Sequence, residues 1–242
     1  MAEKLTTIAD NMQGVYDKGF DDGQSQGGSD ERFTALWNGL TNNGTRTDCS
    51  YMFRHWKNAH DYWYPPYPLQ GGTMMFYSFT SNLGLPEMCE RAGVPPIDWS
   101  NVSSFNQNFS YASMPDAGIV DMTSANTTGS CFMYSYVQKV HIILKADGSQ
   151  SHTGGMFTGA TRLTDLTVEG AIGTSLTIPS PLNPESMISV ITHLVNYAGT
   201  EKESSYKISF TDACWDALEK HSAAPDGGTW KDYVVYTLGW NV

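Results

Sequence analysis

Positive charge is scarce in this chain. Lys and Arg number 14 against 25 Asp and Glu, a formal net charge of −11, and charged residues of both signs make up only 16% of 242 positions. Phosphate contacts need clustered Lys and Arg, and there is no such cluster, so no nucleic-acid partner is expected. The same acidic excess disfavours an anionic membrane surface. Long hydrophobic runs are also missing: no stretch approaches the ~18 apolar residues of a membrane span, so no membrane insertion is expected. The opening "MAEKLTTIADNMQG" lacks the apolar core of a secretory signal peptide. Paired cysteines are absent as well. Cys49, Cys89, Cys131 and Cys214 are scattered with no CxxC pair, which argues against a zinc or dithiol site and for buried thiols acting as small apolar residues.

The motifs of common catalytic sites are equally lacking. There is no HExxH, P-loop or GxGxxG. His55, His60 and Asp61 are the nearest approach to a metal cluster, but a spacing of five puts two histidines off a common helix face. Ser149, Ser151 and His152 in "SQSHTGG" read as a polar turn rather than a nucleophile and base. The expectation is a non-enzymatic protein with no metal and no cofactor.

Apolar residues make up 40% of the chain and aromatics 12%, enough for one sizeable core or a stack of small ones. At the start, Leu5, Ile8, Met12 and Val15 are spaced three, four and three apart, a narrow helical stripe of coiled-coil type. So short a helix needs a partner in water, which marks it as an anchoring or oligomerising segment. A linker follows, with Gly19, Gly23, Gly27 and Gly28 among Ser and Gln. Residues 1–28 are therefore separated from a body.

The body repeats itself. A Phe preceded by a small or apolar residue leads each of five units, at Phe53, Phe76, Phe109, Phe132 and Phe157, with separations of 23, 33, 23 and 25 residues. Phe109 is followed by Ala112, Met114, Ala117 and Ile119. Phe132 is followed by Ser135, Val137, Val140 and Ile142. Phe157 is followed by Ala160, Leu163, Leu166 and Val168, with one residue inserted. Repeats of this length with an apolar ladder point to a leucine-rich-repeat solenoid, in which stacked units share one core. Short segments around Ile119, Ile142 and Val168 are expected to be parallel strands on one face. The long gap carries "CERAGVPPIDWSNV", read as an insertion ending in a Pro-Pro turn.

The ends differ from the middle. Residues 29–70 hold Trp37, Tyr51, Phe53, Trp56, Tyr62, Trp63, Tyr64 and Tyr67, read as an aromatic N-terminal cap plus a first repeat. Residues 71–181 form the repeats, with the division of 171–181 left open. Residues 182–242 form helix-containing C-terminal repeats and a cap. There, Asn183 suits an N-cap, Pro184 the first helical position and Gly199 the residue after the helix. "YKISF" alternates as a strand. Thr211 and Thr229 begin two further helices, and Gly239 ends the last before a short terminal strand. The fold class expected is an α/β repeat: short parallel strands, a helical C-terminal cap and a short N-terminal helix.

The Phe-led units resemble the BspA-like leucine-rich repeats of bacterial surface proteins. More closely, "ILKADGSQSHTGGMFTGATRLTDLTVEGAIG", "NPESMISVITHLVNYAGTEKE", "ACWDALE" and "GTWKDYVVYTLGWNV", with the leader "IADNMQGVYDKGFDDGQSQGG", resemble leucine-rich-repeat structural proteins of phages and prophages of gut Firmicutes. The resemblance implies a virion protein, such as a tail fibre, tail tip or other exposed fibre. It would bind other virion proteins and a host surface glycan or protein. The alternatives are a virion subunit touching only its neighbours, or a bacterial cell-surface adhesin. A homo-oligomer through Leu5, Ile8, Met12 and Val15 is compatible with each. Two ligand-binding candidates stand out. One is the cluster Trp56, Tyr62, Trp63 and Tyr64, whose rings could hold sugars or anchor a protein. The other is the exposed side of the repeat strands near Tyr134, Tyr136 and His141.

Overall fold

The computed structural model describes residues 53–54, 69–150 and 153–242. The leader stripe, the linker, and the candidates Trp56, Tyr62, Trp63 and Tyr64 lie outside the described residues, as do Cys49, His55, His60, Asp61, Ser151 and His152.

The described residues form an α/β fold with a small parallel sheet and four helices. Three strands, β1 (Asp116–Asp121), β2 (Lys139–Ile143) and β3 (Asp165–Glu169), pair in parallel in that order. They lie around Ile119, Ile142 and Val168 as expected, but in β1 the ladder is one residue off: Ile119 is 52% exposed and faces solvent, and the buried Val120 pairs with Ile142 across a register shift between Asp116 and Ile119. Ala117, Val120, Val140, Ile142, Leu166 and Val168 point inward and are buried, while Lys139, Thr167 and Glu169 face solvent. In β2 and β3 the alternation is the period-2 signature of a sheet with one wet face, whereas β1 buries Ala117 and Val120, three apart, across its bulge.

Opposite the sheet runs a column of phenylalanines. Phe53, Phe76, Phe109, Phe132 and Phe157 are all buried. Successive rings are stacked with centroids 5.2, 5.2, 5.0 and 5.3 Å apart. The backbone explains the regularity. Each marker Phe donates its N–H to the carbonyl just before the next one: Phe53 to Met75, Phe76 to Asn108, Phe109 to Cys131 and Phe132 to Met156. In the units led by Phe76, Phe109, Phe132 and Phe157 the residue three beyond the Phe closes a turn onto the Phe carbonyl, as Phe79, Ala112, Ser135 and Ala160 do. The 33-residue separation does not interrupt the column, because the extra chain loops away and returns.

That extra chain contains a helix the sequence reading did not foresee. Helix α1 (Leu85–Ala92) has Pro86 in its first turn and an Arg91–Glu87 ion pair at 2.7 Å, and stops at Gly93 in the left-handed region. The expected Pro-Pro segment follows it and leads to Asp98, which bridges Gln70. The one-residue insertion after Phe157 is also resolved. Phe132 and Phe157 are 25 residues apart, whereas the paired residues Lys139 and Asp165 are 26 apart, since their register is direct. Leu163 thereby takes the inward place of Met114 and Val137, and Arg162 stays outside.

Both edges of the sheet are covered. The Ile119 carbonyl of β1 accepts from the Trp99 indole at 3.1 Å. On the far edge, helix α2 (Pro184–Thr192) packs along β3. Its Ser186 and Ser189 hydroxyls accept from the N–H groups of Leu166 and Val168 at 2.8 and 2.9 Å. Edge groups that would template another strand are thus satisfied by side chains.

Helix α2 starts as read, with Asn183 accepting from Ser186 N–H. It ends at Thr192, not before Gly199, because residues 193–195 leave it to pair with Ile172: Ile172 donates to the His193 carbonyl and Val195 to that of Ile172. In the stretch 171–181, β4 (Leu176–Thr177) pairs with β5 (Ile208–Ser209). "YKISF" therefore contributes only two strand residues, though Ile208 and Phe210 are buried as the alternation required. Helix α3 (Asp212–His221) is capped by Thr211, and α4 (Trp230–Asp232) by Thr229. The last helix is one turn that widens into a π-turn over Tyr233–Thr237, and the terminal strand reduces to a single bridge between Lys207 and Asn241. Cys89, Cys131 and Cys214 are buried, and Cys131 and Cys214 are free thiols.

Candidate binding surface

The turns after Phe76, Phe109, Phe132 and Phe157 repeat a backbone conformation. Ser78, Tyr111, Tyr134 and Gly159, each two residues beyond a Phe, all have positive φ, at 57°, 59°, 54° and 67°. Three of them donate N–H groups across to the next unit: Ser78 to the Ser110 carbonyl, Tyr111 to Met133 and Tyr134 to Thr158. A positive φ is easy for glycine and uncommon for a bulky residue. Two tyrosines sit there nevertheless.

Their rings form a row on the outside of the molecule. Arg54 lies over the Tyr77 ring, 5.1 Å from its centroid. Tyr77 meets Tyr111 edge-on at 5.6 Å, and Tyr111 stacks on Tyr134 at 5.4 Å. The Tyr134 ring then lies against Gly159, where a Cβ would overlap it. Beside the row, Arg162 sits 4.9 Å from the centroid of Tyr136. Tyr111, Tyr134 and Tyr136 are 43%, 47% and 45% exposed, beside marker phenylalanines that are at most 1% exposed. Ring faces within the row are covered by neighbouring rings, an arginine or a glycine. Its edges and phenol hydroxyls are what solvent meets. The hydroxyls of Tyr111, Tyr134 and Tyr136 make no hydrogen bond to any described residue.

The structure separates the three tyrosine and histidine candidates. Tyr134 and Tyr136 precede β2 and lie in and just after the turn, not on a strand. His141 is on the wet face of β2, between Ile119 and Thr167 in register. Its Nε2 lies 2.9 Å from Glu169 Oε1, poorly aligned for a hydrogen bond but close enough for an ion pair when the ring is protonated. No ring contact or hydrogen bond joins His141 to either tyrosine among the described residues. The wet face is otherwise mixed in charge, with Lys139 3.5 Å from Asp116.

Sequence reading missed Tyr77, Tyr111, Arg54 and Arg162. The signal was present: an aromatic or basic residue follows the marker Phe by one or two positions at 54, 77, 111 and 134. Polar turns elsewhere are self-contained. Hydrogen bonds from Ser149 hold the Asp147 carboxyl below the ordinary carboxylate range, and those from Ser100 do the same for Asp98. Burial pushes the Cys131 thiol well above the ordinary range, leaving it protonated and unreactive. Among the described residues, no group of three His, Cys, Asp or Glu could hold a metal ion, and no helix is long and apolar enough to cross a membrane. No protein-family model matches the chain, and neither does any curated protein or solved structure.

Proposed function

We propose that the chain is a leucine-rich-repeat solenoid of the BspA-like kind that works without catalysis, as an attachment module on a phage particle. Its first 28 residues join it to other virion proteins, and its repeats present a surface to a molecule on the host cell. One observation carries the reading. A buried column of one Phe per unit, at 5.0–5.3 Å intervals, holds a parallel row of half-exposed tyrosines on the outside of the same units. A rigid stack that repeats its outer side chains suits recognition of an extended surface, and Tyr is the residue type that anchors such contacts.

The test uses the fluorescently labelled full chain beside a chain starting at Ser29, on a panel of gut Firmicutes. Both are expected to stain a subset of strains. Light scattering is expected to give an oligomer for the full chain and a monomer for the shorter one. If neither stains any strain and the full chain associates only with particle proteins, it is a purely structural subunit. If the mass is unchanged by the truncation, the leader is not an oligomerising device.

A further inference from the structure

We infer that Tyr111 and Tyr134 form a modification site: a one-electron oxidant of the haem-peroxidase class, working with hydrogen peroxide, joins their rings into a dityrosine that staples two neighbouring repeat units. The inference goes beyond the attachment reading and does not depend on it. Three observations carry it.

The first is contact held by the backbone. The two rings stack with centroids 5.4 Å apart and planes 25° from parallel. Each tyrosine sits two residues beyond a marker Phe at positive φ, 59° and 54°. Each donates its N–H to the next unit, Tyr111 to the Met133 carbonyl at 3.0 Å and Tyr134 to that of Thr158 at 2.7 Å. Ser78 and Gly159 meet the same demand for positive φ, so the turn does not call for a large aromatic, which is unfavourable there. Two reacting groups held in contact combine within one molecule, ahead of any encounter with a second chain.

The second is access. The two rings are 43% and 47% exposed, so an oxidant in solution reaches both. Other tyrosine contacts suit coupling less. Tyr77 meets Tyr111 edge-on, 63° from parallel, and is only partly exposed. Tyr197 and Tyr206 lie 5.3 Å apart, but the Tyr197 hydroxyl donates to the Gly173 carbonyl and both rings pack on the buried Trp240. Partial burial also pushes the Tyr197 phenol above its ordinary range, so its proton is harder to lose. Tyr136 faces Arg162 instead.

The third is chemistry. Each phenol gives one electron to the oxidant and its hydroxyl proton to solvent. That leaves a phenoxyl radical whose unpaired electron is shared between Oη and the adjacent ring carbons Cε. The two radicals pair in a single Cε–Cε bond. The hydrogen on each bonded Cε then moves to its Oη, which restores both rings and both hydroxyls. The two electrons and two protons reduce one hydrogen peroxide to two waters. The described cysteines, which an oxidant would otherwise attack first, are buried.

The experiment treats the dilute full chain with a haem peroxidase and hydrogen peroxide, cleaves it before aspartate and maps the peptides by mass spectrometry. Asp116 and Asp121 lie between the two tyrosines. The cross-link is therefore expected as the peptide Asp98–Pro115 joined to Asp121–Ala146, two hydrogens lighter than their sum, in a chain that stays single on a denaturing gel. The same treatment in urea, where the contact is lost, is expected to give at least tenfold less of it. Tyr111→Phe and Tyr134→Phe keep the rings and are each expected to abolish it, while Tyr136→Phe and Tyr236→Phe leave it unchanged. After treatment the wild type is expected to unfold at higher urea than the equally treated Tyr111→Phe variant. Absence of the joined peptide, equal yield in urea, persistence in Tyr111→Phe, or joining only between chains overturns the inference, and an equal urea midpoint overturns the staple. Staining of cells is read separately, so the attachment function stands or falls on its own test.

Discussion

Replacing Phe132 by Ala probes the Phe column directly. Phe132 is 1% exposed and stacks on Phe109 at 5.0 Å and Phe157 at 5.3 Å, with planes within 11° of parallel. Deleting a buried Phe side chain costs about 3–5 kcal/mol through lost transfer energy and the cavity left behind. Each offset stack adds roughly 0.5–1.5 kcal/mol beyond area burial. Two stacks are lost at once, so the upper half of the 3–5 range is expected. That is a large fraction of a typical domain stability of about 5–15 kcal/mol. Urea unfolding measures it, with the slope m checked for constancy. Phe132→Leu should lose less, since it keeps most of the volume and forfeits the stacking. A double-mutant cycle between Phe109 and Phe132 should show a coupling of about 0.5–1.5 kcal/mol. A loss below about 1 kcal/mol for Phe132→Ala, or strict additivity in the cycle, would refute the view that the column is an energetic unit.

Ser186→Ala removes the acceptor for the buried Leu166 N–H. It should cost about 1–3 kcal/mol and accelerate hydrogen exchange at Leu166 more than at the central strand β2. Acidification should weaken the protein partly through Asp98, whose carboxylate is favoured in the fold by hydrogen bonds from Ser100. The native pKa is lowered, so its contribution is full above the ordinary carboxylate pKa of about 3.9 and is lost as pH falls through the lower native value. Melting curves of the wild type and of Asp98→Ala should therefore converge at low pH; because Asp98 is exposed, the effect is small, and curves that diverge on acidification would contradict the sign.

The parts of the fold that were legible in the sequence are those where one residue type has one physical role. The marker phenylalanines, the aliphatic strand positions and the caps at Asn183, Thr211 and Thr229 were readable because burial and capping tolerate few alternatives. Helix α1 was missed. It lies inside a gap between repeats, and "LPEMCERA" spans only two turns, with Pro86 in the first, where a proline costs nothing. The early end of α2 was illegible for a different reason: pairing between Ile172 and residues 193–195 is a long-range event that overrides a local Gly signal. The tyrosine row was half readable. Tyr134 was singled out, but its stacking partners Tyr77 and Tyr111 are linked to it only through the turn geometry, which periodicity of apolar residues does not report.

The one-residue insertion after Phe157 shows which feature sets the architecture. If sequence spacing ruled, Arg162 would fall inward beside Met114 and Val137. Instead Leu163 is buried and Arg162 is outside against Tyr136, because burying an unpaired guanidinium costs far more than bulging a turn by one residue. The register of the Phe column and that of the sheet are held independently, and the connection between them absorbs the difference. The tyrosine row belongs to the Phe side, tied to it within two residues, so its spacing is fixed by ring stacking in the core. His141 belongs to the sheet side, where pairing with Asp165–Glu169 sets its place. A length change in the connecting segments should therefore slide the two surfaces relative to each other while leaving the ring spacing of the row intact.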